Sequence, residues 1–431
     1  MARFLISTMP AHGHVNPVQA IVCKLVGLGH EVRWHTGVDF AAKVVSSGAT
    51  FVPMKHAPSF EQLSRKPETG ERGLGAINRG ITRVFVEPTL GQLRDYEEIL
   101  DSFAADVLLY DTIGMGPMLL HEKGGPPYAT LATTSLVVKS ADTPPWGAGR
   151  PPASSALGRT RNRFEHWIGS HVLCRRANKE FNQARRRSGL GPMPRGSALL
   201  DVIISPFLHL QCTTAGLEYP RRDLAPHIHL VGPILPPATA EFAPPDWWPE
   251  LTEGRPVVFV TQGTVATNPN NLVTPALKAL ADDEVLIVVT TPKSELLEWL
   301  PTNARIERYI PYDHVLPYVD LMVTNGGFTG VKQALAHGVP IVGAGLTEDH
   351  GEVNARIAWS GVGIDLRTDT PTAAQIGTAI RAILSDRGYR DNARRIQAEI
   401  NAHDTPAEVV DLLEQLAAIK APVTRKRPTL A

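Results

Sequence analysis

LMVTNGGFTGVKQALAHGVPIVGAG, residues 321–345, reads as strand, turn, helix and strand. The first strand ends at Thr324, Asn325-Gly326-Gly327 makes the turn, and Phe328 to His337 forms a helix with Gly338 as its stop. A strand follows over 340–345. That order is a βαβ unit, whose two strands run parallel. Glycines at a strand-to-helix turn let backbone N–H groups approach an anion, and the helix N-terminus adds about half a positive charge. Tight packing alone also explains such a turn. The second strand runs into Thr347-Glu348-Asp349-His350, where carboxylates are good acceptors for sugar hydroxyls. The plainer reading is an acidic helix start capped by Thr347.

The same alternation extends through the chain. Strands are predicted at 3–9, 30–36, 51–54, 106–111, 127–133 and 201–205, then at 257–263, 284–291, 304–310, 321–327, 340–345 and 361–366. Many are apolar on both faces, as buried parallel strands are. Between the two sets lies the Pro-rich stretch 231–256, which reads as a linker. The expected fold is α/β, two tandem Rossmann-like domains facing each other across a cleft, because ligands of such sheets bind beyond the strands' carboxyl ends. The first domain is assigned to 1–235, the linker to 236–255, the second domain to 256–418 and a flexible tail to 419–431.

At 431 residues the chain is long enough for two or three domains. Lys+Arg and Asp+Glu are equal at 43 each, which removes any global pull toward nucleic acid. The Arg-rich stretch 159–187 carries few interleaved aromatics and reads as a solvated helix face. Cys23, Cys174 and Cys212 show no C-x-x-C, so neither a disulfide frame nor a zinc site is expected, and the composition suits a reducing cytoplasm. The N-terminal apolar run is too short for a signal peptide, and no window reaches the roughly 20 apolar residues of a membrane helix.

AHGHVNP, residues 11–17, follows the first strand. The strand is expected to end in His12-Gly13-His14, so the two imidazoles share a face. No third His or Cys stands at ligand spacing, and the chain holds no Asp-x-Asp, so no metal is expected. A proton is the better reading. An imidazole serves as a base near neutral pH when a carboxylate holds its other nitrogen. Asp111, at the end of the predicted strand 106–111, can meet His14 at the same sheet edge.

Together these residues resemble the nucleotide-sugar-dependent family 1 glycosyltransferases, especially bacterial ones acting on macrolides and other small natural products. The likeness takes in the A-x-G-H-V-N-P start, Val231-Gly232-Pro233, Thr261-Gln262-Gly263-Thr264, Tyr309-Ile310-Pro311 and the donor segment ending in Glu348-Asp349. The family's GT-B fold is the two-domain arrangement above, with the acceptor mostly in the first domain and the donor in the second. The resemblance makes His14 the catalytic base and Asp111 its orienting partner. It places Gly13, Thr264, Tyr309, Asn325, Gly326, Gly327, Thr329, Gly330, Gln333, Glu348, Asp349 and His350 around the donor, and leaves His12 structural. Three departures stand out. Asn325 replaces a His that contacts phosphate, Gln333 replaces a Glu that grips the ribose, and Tyr312 replaces a Gln.

The implied reaction is an inverting, metal-independent transfer of a hexose, from UDP-glucose foremost, onto a hydroxyl of a hydrophobic natural product. Phe85, Met115, Met118, Trp146 and the loop 143–160 are the expected acceptor wall. No resident cofactor is implied, only the NDP-sugar co-substrate. The enzyme is expected in the cytoplasm as a monomer or homodimer, with no nucleic-acid partner. The alternatives are a dTDP-deoxysugar donor, a sugar-nucleotide epimerase or hydrolase on the same double fold, and a non-catalytic paralogue.

Overall fold

In the computed structural model, residues 1–59, 62–63, 74–239, 241–263, 268–297 and 299–425 are described, with 74–77 as backbone only. Two parallel sheets form. The first has the order β3-β2-β1-β4-β5-β6-β7, the second β10-β9-β8-β11-β12-β13. The strands of the first are β1 (Arg3–Ser7), β2 (Glu31–Thr36), β3 (Thr50–Pro53), β4 (Val107–Tyr110), β5 (Tyr128–Ala132), β6 (Leu208–Gln211) and β7 (Ile228–Leu230). Those of the second are β8 (Val257–Thr261), β9 (Leu286–Thr290), β10 (Ala304–Glu307), β11 (Leu321–Thr324), β12 (Ile341–Gly343) and β13 (Gly363–Asp365).

Strand alternation explains why both faces of each sheet are covered. In β1, Phe4 and Ile6 enter one core while Leu5 enters the other. In β8, Val257 and Phe259 point to one face and Val258 and Val260 to the other. Helix His12–Gly27 buries Val15, Val18, Ile21, Val22 and Leu25, an i, i+3, i+4 stripe laid on the first sheet.

In each sheet the strand order reverses between the first strand and the fourth, which pair directly: Ser7 with Tyr110, and Thr261 with Thr324. Crevices open where such reversals occur. His14 and Asp111 follow the two strands at the first reversal. Gly263 and Asn325 follow those at the second.

Three expectations change. Residues 201–205 are not a strand. Leu199–Asp201 forms a 3-10 turn, closed by the Asp201 carboxylate on the Ala198 N–H at 2.8 Å. Leu199 and Ile203 pack into the core from that turn, and the sheet is extended instead by β6 and β7. The second domain does not keep helix Thr405–Ile419, which puts Val409, Val410, Leu413 and Leu416 into the core of the first sheet. Nor is the tail loose over 419–425, and residues 426–431 lie outside the described residues. Val423 is buried in that core and its N–H bonds the Phe207 carbonyl at 2.9 Å. Among the described residues no helix is long and apolar enough to cross a membrane.

Candidate active site

His12, Gly13 and His14 lie not in a strand but in the first turn of helix His12–Gly27. Helical positions two apart point to different sides. His12 stacks edge-on to Phe40 with ring centroids 5.2 Å apart, and His14 turns to Asp111. The His14 Nδ1 to Asp111 Oδ2 distance is 2.9 Å, and the same oxygen accepts the Met9 N–H at 2.6 Å. The carboxylate is thus held from β1's exit and presented to the imidazole. The next residue, Thr112, has φ of 61°, a left-handed backbone unusual for a β-branched residue, where the chain turns sharply away from β4. Burial works against protonation of His14, but the charge of Asp111 and the hydrogen bond to it outweigh burial and raise the imidazole above its ordinary 6.5. With Nδ1–H given to the carboxylate, the neutral ring carries its lone pair on Nε2.

Beside this pair lies a constellation that the sequence reading missed. Ser7 Oγ is 3.0 Å from His35 Nδ1 and 2.8 Å from the Tyr96 hydroxyl, and His35 Nε2 is 3.2 Å from Asp95. Asp95 also accepts the N–H groups of Lys55, His56 and Ala57. Burial raises the Asp95 carboxyl, yet the His35 hydrogen bond and the backbone donors hold it below its ordinary value. Ser7, His35, Asp95 and Tyr96 are all buried, so the network braces the ends of β1 and β2. Nothing in the local pattern marks residues so far apart as neighbours.

In the second domain the turn Asn325-Gly326-Gly327 leads from β11 into helix Phe328–Ala336. Asn325 Nδ2 donates to the Gln262 carbonyl at 2.7 Å, tying β11's exit to that of β8. Gly326 has φ of 98°, and a Cβ there would stand 2.4 Å from Asn354 Oδ1. Gly326→Ala is therefore expected to lower stability by at least about 1–3 kcal/mol, the cost of the backbone alone; thermal unfolding of the variant checks this. Thr329 and Gly330 sit in the helix's first turn, whose N–H groups have no partner within the helix.

Tyr309 is 72% exposed, with its ring open to stacking. Tyr312 is turned inward. Its hydroxyl donates to Thr261 Oγ1 at 3.0 Å and its ring meets Phe259 edge-on. Gln333 folds back on its own helix, 3.4 Å from the Thr329 carbonyl. Thr264 lies outside the described residues.

The carboxyl ends of the two sheets meet. Lys332 is buried and donates to the carbonyls of Thr133 and Cys212, just past β5 and β6. Burial lowers its ammonium, against the pull of Cys212 and Asp349. Asp349 accepts the Thr134 hydroxyl at 2.7 Å. Glu348 is exposed with φ of 55°, and its carboxylate lies 3.7 Å from His350 Nε2. Thr347 does not cap the following helix; Asp349 occupies that position without a capping bond from its side chain. Ligand atoms of Glu348, Asp349 and His350 lie within 4.8 Å of one another.

The acceptor candidates separate. Met115 is fully buried beside Tyr96 in the core and offers no wall. Phe85 and Met118 pack half-buried against that core. Trp146 is 41% exposed, with its indole N–H donated to Ser135 Oγ at 3.0 Å.

Comparison with known proteins agrees with this geometry. Residues 274–416 match the family described as Erythromycin biosynthesis protein CIII-like, C-terminal domain. The chain is 42% identical to 4'-demethylrebeccamycin synthase of Lentzea aerocolonigenes, over 96% of this chain and 99% of that one. It is 30% identical to UDP-glycosyltransferase 2 of Phaeomoniella chlamydospora, over 96% and 95%. The calicheamicin glycosyltransferase CalG4 has the same fold, with a TM-score of 0.76 at 22% identity, covering 98% of this chain and all of that one. Two parallel sheets meeting at their carboxyl ends, and likeness along nearly the whole chain, lead to one conclusion: the protein belongs to the nucleotide-sugar-dependent glycosyltransferases of the natural-product type, with the GT-B fold.

Proposed function

We propose that the protein moves a hexose, glucose from UDP-glucose foremost, onto a hydroxyl of a small hydrophobic natural product, with inversion and without a metal. The observation that carries this reading is the 2.9 Å bond between His14 Nδ1 and Asp111 at the reversal point of the first sheet. His14 Nε2 takes the proton of the acceptor hydroxyl as its oxygen attacks C1 of the sugar. The C1–oxygen bond to the diphosphate breaks on the opposite face, and UDP departs. Asp111 steadies the imidazolium. The N–H groups opening helix Phe328–Ala336, with Thr264, receive the charge growing on the leaving diphosphate. Glu348, Asp349 and His350 hold the sugar hydroxyls, and Tyr309 stacks on the base.

UDP is favoured by the name of the Phaeomoniella relative. A dTDP-deoxysugar is the second reading, because Tyr312 and Gln333, at the two ribose positions, bond within the protein. An epimerase or hydrolase would need acid and base groups around the sugar ring beyond the His14 pair. We place the enzyme in a reducing cytoplasm, where its three cysteines persist as thiols, as a monomer or homodimer.

Calorimetric titration with UDP, UDP-glucose and dTDP-glucose, with and without EDTA, tests the donor. UDP-glucose is expected to bind with the same affinity after EDTA. Loss of binding on chelation would make the Glu348-Asp349-His350 cluster a metal site and overturn the metal-free reading. Preference for dTDP-glucose would select the second donor.

A further inference from the structure

Trp146 stands on a tight turn. Ala148 N–H bonds the Pro145 carbonyl at 3.1 Å, and Gly147, third in the turn, has φ of 91°, as a type II turn requires. The ends of this loop are fixed to the first domain. Asp142 is held by Arg222, and the Thr143 carbonyl lies 3.0 Å from His166 Nε2. Its tip is fixed to the second domain. Gly147 N–H and Gly149 N–H both donate to one oxygen of Glu352, at 2.8 and 2.9 Å.

Glu352 belongs to helix His350–Trp359, one turn beyond Asp349. Its other oxygen accepts from Arg356 at 2.9 Å. Arg356 reaches on to Glu218 of the first domain at 2.8 Å and lies 4.3 Å over the Tyr219 ring. Glu218 also accepts the Leu136 N–H and an Arg221 N–H, so two carboxylates face two guanidiniums in a buried, charge-balanced cluster. Burial opposes the Glu218 charge, but Arg356 and Arg221 hold its carboxyl below the ordinary value. Every Glu352 oxygen is thereby used: one side for the acceptor turn, the other for the domain contact.

We propose that Glu352 is a positioning residue that sets the Trp146 turn against the donor-sugar segment, so that donor binding and the order of the acceptor wall are coupled. The proposal rests on the acceptor role of the 143–160 loop. One short helix carries both Asp349 and Glu352, so whatever fixes its start also fixes the two N–H bonds at the turn. Coupling of this kind is reciprocal: a donor that orders the turn tightens the acceptor, and the acceptor tightens the donor.

Hydrogen–deuterium exchange of the wild-type chain with and without UDP-glucose, in the absence of acceptor, reads the coupling without transfer. UDP-glucose is expected to slow exchange at Gly147 and Gly149 by about tenfold, within the usual range of such coupling. Unchanged exchange with UDP-glucose bound overturns the proposal. In steady state, Glu352→Gln is expected to raise the acceptor KM about tenfold or more, as for a lost charge-assisted hydrogen bond, while UDP affinity stays within about twofold. Equal losses in both, or no loss, would mean the cluster only joins the domains. Gly147→Ala strains the turn from the loop side, where a Cβ has nothing within 4 Å, and leaves the ion cluster intact. It is expected to reproduce the same acceptor-KM signature even if Glu352→Gln fails to fold. A wild type without acceptor-dependent UDP release would defeat the functional reading instead, with the exchange result still deciding the coupling.

Discussion

His14→Ala is expected to lower kcat/KM for transfer by about 10²–10⁴-fold, the usual worth of a positioned general base, and to leave UDP affinity unchanged. The division follows from the architecture. His14 opens a helix on the first sheet, whereas the residues assigned to the nucleotide stand on the second. Removing the imidazole takes away the acceptor for the hydroxyl proton and, of the donor's assigned partners, borders only Gly13, whose backbone the substitution leaves in its helix. The Asp111 carboxylate keeps its bond from Met9 N–H, so the strand exit survives. Initial rates of UDP release, set beside calorimetric UDP binding, measure both halves. A variant that lost both together would show His14 to be structural.

Asp111→Asn is expected to cost nearly as much, about 10²–10⁴-fold, and to move the pH profile. An amide has one acceptor and one donor end where the carboxylate has two acceptors. One oxygen, Oδ2, serves both Met9 N–H and His14 Nδ1. An amide oxygen in its place keeps both bonds but brings no charge to steady the imidazolium. An NH2 in its place would face the Met9 N–H and drive the His14 proton to Nε2, which then cannot act as a base. The sign of the pH effect follows from the raised pKa. The base must be neutral, so kcat/KM of the wild type falls as pH drops through a value above 6.5. Removing the carboxylate deletes what raises the imidazole and leaves burial, which lowers it. The acid limb therefore moves to lower pH in Asp111→Asn. Stability runs the other way: what protonated His14 contributes is fully present below its unfolded pKa of about 6.5 and is lost as pH rises through the folded value. A limb that stayed in place would detach Asp111 from the titration of His14.

Much of the fold was legible because parallel strands covered on both faces must be apolar at successive positions. VLLY in β4 and VVFVT in β8 are buried throughout, and no surface strand reads that way. Residues 201–205 share that composition, yet Leu199 and Ile203 reach the core from a turn, since a short apolar run states burial and not conformation. The C-terminal helix shows its apolar stripe plainly, but a stripe cannot say which of two cores receives it. Helix Thr405–Ile419 chose the far one.

The site was legible where chemistry is local. The Gly326 turn and the imidazole next to Gly13 are each readable within a few residues. Asp111 needed only the inference that two parallel strands end at one edge. By contrast, Glu218 and Arg356 stand 138 positions apart, and each alone looks like a surface charge. Only the docking of the two domains makes them one cluster. Met115 fails as an acceptor wall for the opposite reason: an apolar side chain after a strand serves core or pocket equally well, and here the core took it.

We propose a single displacement at the anomeric carbon, with His14 as base and no covalent sugar–enzyme stage. Its most direct test is the anomeric configuration of the product, read by proton NMR after transfer from α-linked UDP-glucose to a phenolic acceptor. The proposed displacement gives a β-linked glucoside. An α-linked product would require two displacements or a same-face mechanism, and would contradict it.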